Sequence, residues 1–345
     1  MLHVGLDLSS RRVDVHVLDE DGSTVWSGPR LIHGDGLDRL AAELVSGVGV
    51  RAVIESMTGA RHVHDTLEAR GVDVRVADVI KAKGLAPLAC KTDRIDAWVL
   101  AELSRRELIP EIWLPDFEVR GARERARFRL YLVRQRTSLK NRVHATLKTH
   151  GLRIVASDIF GVEGRKRLGE LDLPEPWAST MHASLVLLDD LDAQITGITA
   201  ELKRLGADHP YVSLLETIPG IGWTLGYTIA AEIGDINRFA SSRKFVGYTG
   251  LVPRVHQSGD IDRRGPITKH GPTYLRWALI EAAVHACRHP VFAPRYERLK
   301  GRVGKARGSK VAQTDLARRL ADAIWHMCTK NQPFAPAGAQ RTLAA

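Results

Sequence analysis

Apolar and polar positions alternate with a period of two at the start of the chain, over residues 2–9 (LHVGLDLS) and more cleanly over 12–19 (RVDVHVLD). Such alternation predicts strands with one buried face. Asp21-Gly22 is a hairpin-turn signal before STVWSG, so three meandering strands open the chain. The period then changes. Leu37 to Val45 reads as a helix, VRAVIES as a buried strand ending at Glu55, and His62 to Ala69 as a second helix stopped by Gly71. VDVRVADV predicts a fifth strand and KTDRIDAWVLAELSRREL a helix. One long helix is predicted from Val119 to Arg153, with Phe128, Leu132, Leu139, Val143 and Leu147 available for one face. Another spans about His182 to Leu205. In it Leu188, Leu191, Ile195, Ile198, Leu202 and Leu205 follow the 3-4 spacing of a coiled-coil seam. The seam suits a dimer stalk, with an intramolecular helical hairpin as the alternative.

After His209-Pro210 the pattern is mostly helical, headed by LLETIPGIGWTLGYTIAAEIG. Loops rich in glycine and basic residues are expected over GLVPRVHQSGDIDRRGPITKHG and KGRVGKARGSK. The opening order β-β-β-α-β-α-β-α is the topology of the RNase H-like fold. The expected class is therefore α/β plus all-α. Its parts are an N-terminal domain over 1–112, a basic helical and coiled-coil connector over 113–209, a mainly helical domain over 210–332, and a disordered Pro/Ala-rich tail over 333–345.

The 345 residues are 44% hydrophobic and 26% charged, enough for a sizeable core in each of two or three domains. The net charge of +10 points to a polyanionic partner. Its placement sharpens this: residues 119–153 carry nine Arg and two Lys against the single acid Glu124. Cys90, Cys287 and Cys328 lie far apart with no CxxC pairing, which argues against a zinc site or a disulfide framework and suits a reducing cytoplasm. Neither a signal peptide nor a membrane span is expected, so a prokaryotic, nucleoid-associated cytoplasmic setting is anticipated.

Four acids carry the candidate chemistry. Asp7 sits mid-strand among apolar residues, where an uncompensated carboxylate is costly. Glu55 ends a strand expected beside the first, and Asp93 and Asp96 stand three apart on one helix, so they face the same way. Together they would suit two Mg²⁺ ions, hard cations that favour oxygen ligands and act on phosphodiesters. Helix-start acids favoured by the macrodipole are the alternative for Asp93 and Asp96. In TIPGIGWTLG, Gly220 and Gly222 suit a helix-hairpin-helix loop whose N–H groups approach a phosphate, or an ordinary helix–helix turn. Ser258 lies in a basic loop with Arg263, Arg264, Lys269 and His270, which could neutralise a phosphate beside a serine nucleophile; a turn serine is the alternative. In the basic stretch, Arg123, Arg127, Arg134, Lys140 and Arg142 are candidates for salt-dependent contacts to RNA and DNA backbones.

These residues resemble a known family. Asp7, Glu55 and K-T-D-R-I-D look like the DEDD signature of the Piv/MooV-type insertion-sequence transposases, the insertion sequence one-ten family. The run IPGIG…AAEIGDINRF…KFVGYTGLVPRVHQSG…GPITKHGPTYLRWALIEAA is similar to that family's transposase domain, and GRVGKARGSKVAQTDLARRLADAIWHM resembles its final helix. The resemblance implies a RuvC-like domain, a coiled-coil connector and a domain with a catalytic serine. It implies that Asp7, Glu55, Asp93 and Asp96 are metal ligands and that Ser258 forms a phosphoserine link to DNA. Ser258 is preferred to Ser241 and Ser242 because it holds the S-G position after G-L-x-P. The resemblance further implies donor and target DNA, a structured bridge RNA that carries sequence choice by pairing, and a homo-oligomer, dimer or tetramer, with a composite site shared between protomers. Alternatives are a Holliday-junction nuclease using only the acids and an actin- or sugar-kinase-like ATPase. The latter is disfavoured because Ser9-Ser10 replaces the phosphate-loop glycine.

Overall fold

The computed structural model describes residues 1–45, 49–85, 92–258 and 261–336. Cys90, Gly259 and most of the expected tail lie outside the described residues. The chain divides into two compact units, Met1–Leu114 and Pro115–Ala345.

In the first unit, strands β1 (Leu2–Leu8), β2 (Arg12–Leu18) and β3 (Thr24–Leu31) form the meander. Helix α1 (Gly36–Leu44), strand β4 (Val50–Glu55), helix α2 (Ala60–Glu68), strand β5 (Asp73–Ala77), helix α3 (Val79–Leu85) and helix α4 (Asp93–Arg105) follow. The sheet order is β3-β2-β1-β4-β5. β2 runs antiparallel to both β1 and β3, while β4 runs parallel to β1 and to β5. Because side chains alternate across a strand, the even positions of β1 (Val4, Leu6, Leu8) join Val13, Val15 and Val17 of β2 and the apolar faces of α1 and α2 in one core. The odd positions face α4. Gly5 lets that helix approach so closely that a Cβ at Gly5 would stand 1.8 Å from the carbonyl oxygen of Ala97. Further along the same face, His3 Nδ1 meets the buried hydroxyl of Ser104 at 3.0 Å. Helix α3 departs from the expected run of strand through Val79: Asp78 accepts hydrogen bonds from the backbone N–H groups of Ile80 and Lys81, which starts a helix there.

The second unit is mostly helical. Helix α5 (Phe117–Thr149) starts at Asp116, whose carboxylate accepts from the N–H of Val119 at 2.8 Å. Helices α6 (Val162–Gly169) and α7 (Trp177–Leu205) follow. α7 packs antiparallel on α5 within the same chain, through Arg125–Glu201, Arg129–Thr199 and Arg136–Asp192. The seam therefore serves an intramolecular hairpin. Leu188, Ile195 and Leu202 are buried, while Leu205 is exposed because the helix ends there. Phe128 also departs from expectation. It is 44% exposed, and Ala126 and Leu130 take the inner face beside Leu132, Val143 and Leu147.

Beyond the hairpin come α8 (Pro210–Glu216), α9 (Trp223–Ile233), α10 (Ser242–Tyr248), strands β6 (Pro253–Ser258) and β7 (Ile261–Ile267), and helices α11 (Thr273–Ala286), α12 (Ala293–Val303) and α13 (Gly308–Lys330). Alanine-rich faces of α11 and α13, with α8, α9 and α10, build the larger core. The pair β6–β7 replaces the loop expected at GLVPRVHQSGDIDRRGPITKHG. Among the described residues no helix is long and apolar enough to cross a membrane. Cys287 and Cys328 are buried free thiols.

Candidate functional site

The first unit brings the predicted acids to one end of the sheet. Asp7 is the last odd position of β1, and Glu55 closes β4 one register step beyond the Leu6–Ile54 pair. Helix α4 begins at the same end. Thr92 caps it by accepting from the N–H of Ile95 at 3.3 Å, and Asp93 and Asp96 occupy its first turn. That position also suits the macrodipole alternative, yet the electrostatics tie all four together. Burial, followed by the proximity of Asp96, Asp93, Glu55 and Asp14, pushes the Asp7 carboxyl up to about 6. Each negative neighbour disfavours ionisation of a group already partly withdrawn from water.

Two participants were missed from sequence. Asp14 pairs directly with Asp7 across the β1–β2 ladder and so shares its face. Arg12, two residues earlier on that face, donates from Nε to Asp14 Oδ2 at 3.1 Å and from Nη2 to Asp93 Oδ2 at 3.3 Å. Its guanidinium offsets part of the negative charge at this end. The strict alternation of R-V-D-V-H-V, read with the hairpin register, was a signal that could have found Asp14. The donor set is all carboxylate oxygen, the chemistry of a hard divalent cation. Among the described residues, no three His, Cys, Asp or Glu side chains already converge as a metal cage.

In the second unit Ser258 is the last residue of β6, cross-strand from Ile261, on an arm whose two strands are exposed along nearly their whole length. By contrast Ser241 is engaged as the N-cap of α10, accepting from the N–H of Lys244, and Ser242 is the first residue of that helix. Arg263 and Arg264 project from β7, with Arg264 paired to Asp262 at 3.1 Å, and Lys269 follows the arm at a positive φ of 59°. The IPGIG segment turns between α8 and α9. Gly220, at φ 90°, lies so close to α11 that a Cβ would stand 2.6 Å from the backbone N of Ala286. Gly222 is the N-cap of α9. The turn borders an open depression of about 810 Å³ that Lys203, His285 and His289 also line.

The basic stretch is used differently from expectation. Arg127 makes a two-pronged pair with Glu232, Nε to Oε1 at 2.7 Å and Nη2 to Oε2 at 2.9 Å, and Glu232 is fully buried. Arg123 donates to the carbonyls of Ala231 and Glu232 at 2.9 and 2.7 Å, capping the end of α9. These two are fold-holding groups rather than free phosphate contacts. Lys140 lies over the Phe160 ring and Arg134 over Tyr274, while Arg142 is exposed.

Comparisons with known proteins place this architecture. Residues 212–297 match the family described as "Transposase IS116/IS110/IS902 family", and residues 4–151 match the DEDD transposase of IS110 elements. The transposase for insertion sequence element IS1111A of Coxiella burnetii is 27% identical over 344 residues, covering 96% of this chain and 90% of the relative. The transposase for IS1328 of Yersinia enterocolitica is 27% identical over 344 residues, covering 96% and 98%. The pilin gene-inverting protein of Moraxella bovis is 29% identical over 262 residues, covering 73% of this chain and 70% of its own. The chain is thus a DNA transposase, an enzyme of strand cleavage and transfer whose substrate is DNA. It belongs to the IS110 family of insertion-sequence transposases. A DEDD transposase generally implies use of a divalent metal.

Proposed function

We propose that the first unit is a RuvC-like domain in which Asp7, Glu55, Asp93 and Asp96 hold Mg²⁺, and that Ser258 is the nucleophile that cuts and rejoins DNA. The observation that carries this reading is the gathering of acids from β1, β4 and α4 at one sheet end, where burial and then Asp96, Asp93, Glu55 and Asp14 hold the Asp7 carboxyl up at about 6. The strand order β3-β2-β1-β4-β5 supports the RuvC-like assignment. Magnesium, when bound, would supply positive charge to polarise a phosphodiester.

The serine step balances as a transesterification. Ser258 Oγ gives up its proton to a base and bonds to the scissile phosphorus, while one P–O bond to deoxyribose breaks and the departing oxygen takes a proton. Attack by a different DNA hydroxyl on the phosphoserine reverses the step and joins new strands. Exposure of Ser258 at the end of the arm supports access to a duplex, and Arg263, Arg264 and Lys269 would neutralise its phosphates. A structured bridge RNA guides the choice of donor and target by pairing. The active assembly is a homo-oligomer, and Arg134, Lys140, Arg142 and the Gly220–Gly222 turn contact nucleic-acid backbone.

A recombination reporter with matching RNA tests this. Asp7→Asn, Glu55→Gln and Asp93→Asn should each abolish recombination with RNA binding retained, and Ser258→Ala should also remove any protein–DNA adduct. A trapped adduct that maps to another serine, or full strand exchange by Ser258→Ala, overturns the serine assignment.

A further inference from the structure

We infer that the cleft between α10, α12 and α13 binds a phosphate of the DNA backbone and anchors the duplex at the root of the β6–β7 arm. The binding stands on the cleft itself; its distance from the cut rests on the Ser258 reading above. The cleft, of about 400 Å³, is lined by Arg243, Arg295, Arg318 and Arg319 against only two acids, Asp315 and Asp322. Three of the guanidiniums converge on Asp315, Arg295 Nε at 2.7 Å, Arg318 Nη2 at 3.0 Å and Arg319 Nε at 3.9 Å. One carboxylate cannot satisfy them. Each guanidinium carries five N–H donors, and Asp315 offers about four acceptor sites. Arg318 Nε is in fact buried with no hydrogen-bond partner among the described residues. Four cations against two anions leave an excess of two positive charges in one open cleft, so an added anion would relieve repulsion as well as fill donors.

The geometry of the donors favours a phosphodiester, whose oxygens match guanidinium forks. The open cleft admits a chain rather than enclosing a small molecule, and the enzyme's substrate is DNA. Position then adds a constraint. Val252 lines the cleft, and β6 leaves from Pro253 to reach Ser258. Six strand residues span roughly 20 Å at about 3.3 Å each. Phosphates on one strand recur about every 3.4 Å along the duplex axis, so with the arm laid along that axis the anchored phosphate lies about six nucleotides from the one Ser258 attacks.

The test measures equilibrium binding of the full chain to a thirty-base-pair duplex DNA and to duplex RNA of the same sequence, across salt. Arg243→Gln with Arg319→Gln spares the two short contacts to Asp315. This variant should lose about tenfold or more in DNA affinity at moderate salt, and its log–log salt slope should become shallower by about one to two. Asp322→Ala, at an exposed rim position, should raise DNA affinity several-fold, which keeps the test decisive should the double variant fail to fold. Unchanged affinity and slope in a variant with an unchanged thermal midpoint overturns the site. An equal or larger loss on RNA overturns its assignment to DNA. A methylphosphonate scan of the wild-type duplex should then weaken binding about six nucleotides from the mapped adduct, and not further weaken the double variant. If the binding losses appear but no adduct forms at Ser258, the anchor stands and the serine reading fails.

Discussion

Replacing Asp7 with Asn should stabilise the metal-free protein even though it removes a group the proposed chemistry needs. Burial, then Asp96, Asp93, Glu55 and Asp14, lifts this carboxyl from 3.8 to about 6. That is a roughly hundredfold change in proton affinity, equivalent to about 3 kcal/mol against the ionised form. Solvent reaches the group, and screening reduces the figure to about 1–2 kcal/mol. Asn keeps the shape and removes the charge. The folded protein holds this proton to higher pH than the unfolded chain does, so ionisation of Asp7 costs the folded state stability. The wild-type deficit is therefore absent below 3.8, grows as pH rises, and is complete above about 6. Thermal unfolding of the full chain in chelator should show the N-terminal transition of Asp7→Asn raised by about 4–8 °C near neutral pH. The gap should shrink as pH falls and close below 3.8. Magnesium at ten times its dissociation constant would add about 1.4 kcal/mol to the wild type and less to the variant, so the two should then converge. An Asp7→Asn protein that is less stable in chelator at neutral pH, or a gap that persists in acid, would refute the reasoning.

Arg127→Met leaves Glu232 as a fully buried carboxylate without its fork, so it should cost about 3–5 kcal/mol in urea unfolding. Arg127→Met with Glu232→Leu should recover most of that, and nucleic-acid affinity per folded molecule should match the wild type. Gly5→Ala places a methyl against the carbonyl of Ala97 and should cost more than about 2 kcal/mol, with loss of any magnesium-dependent stabilisation, because α4 carries Asp93 and Asp96. Leu132→Ser should destabilise the helical hairpin by about 2–4 kcal/mol, whereas Phe128→Ser should stay within about 0.5 kcal/mol, as circular dichroism melts would show.

How much of this was legible depended on whether the signal was local. The meander was legible because Val13, Val15 and Val17 alternate with polar residues in one short window, and because a buried face enforces that alternation. The acids were legible for the same reason: Asp7 breaks an apolar strand, and Asp93 and Asp96 share one turn. The β6–β7 arm was not, since neither of its faces packs on a core and so its polar residues carry no period. Helix α3 was hidden by the apolar Val79 and Ile80, which extend a strand pattern as readily as they begin a helix.

Charge was the least legible quantity, because a residue's partner can lie anywhere in the chain. Residues 119–153 read as a free basic stripe, yet Arg125, Arg127 and Arg136 meet Glu201, Glu232 and Asp192. The two-pronged pair to a fully buried Glu232 lies 105 residues away and is invisible in any window. The converse holds in the cleft of α10, α12 and α13. Arg243, Arg295 and the neighbouring Arg318 and Arg319 draw no attention along the sequence, where these three places lie far apart or beside an acid, but folding brings them to one cleft and gathers Arg295, Arg318 and Arg319 around Asp315. A linear excess of cations thus marks where positive charge is made; only the folded neutralisation shows where it remains. By that criterion the proposed phosphate anchor falls at the root of the β6–β7 arm, where four guanidiniums face two carboxylates, while Arg123 and Arg127 of α5 are spent on the fold.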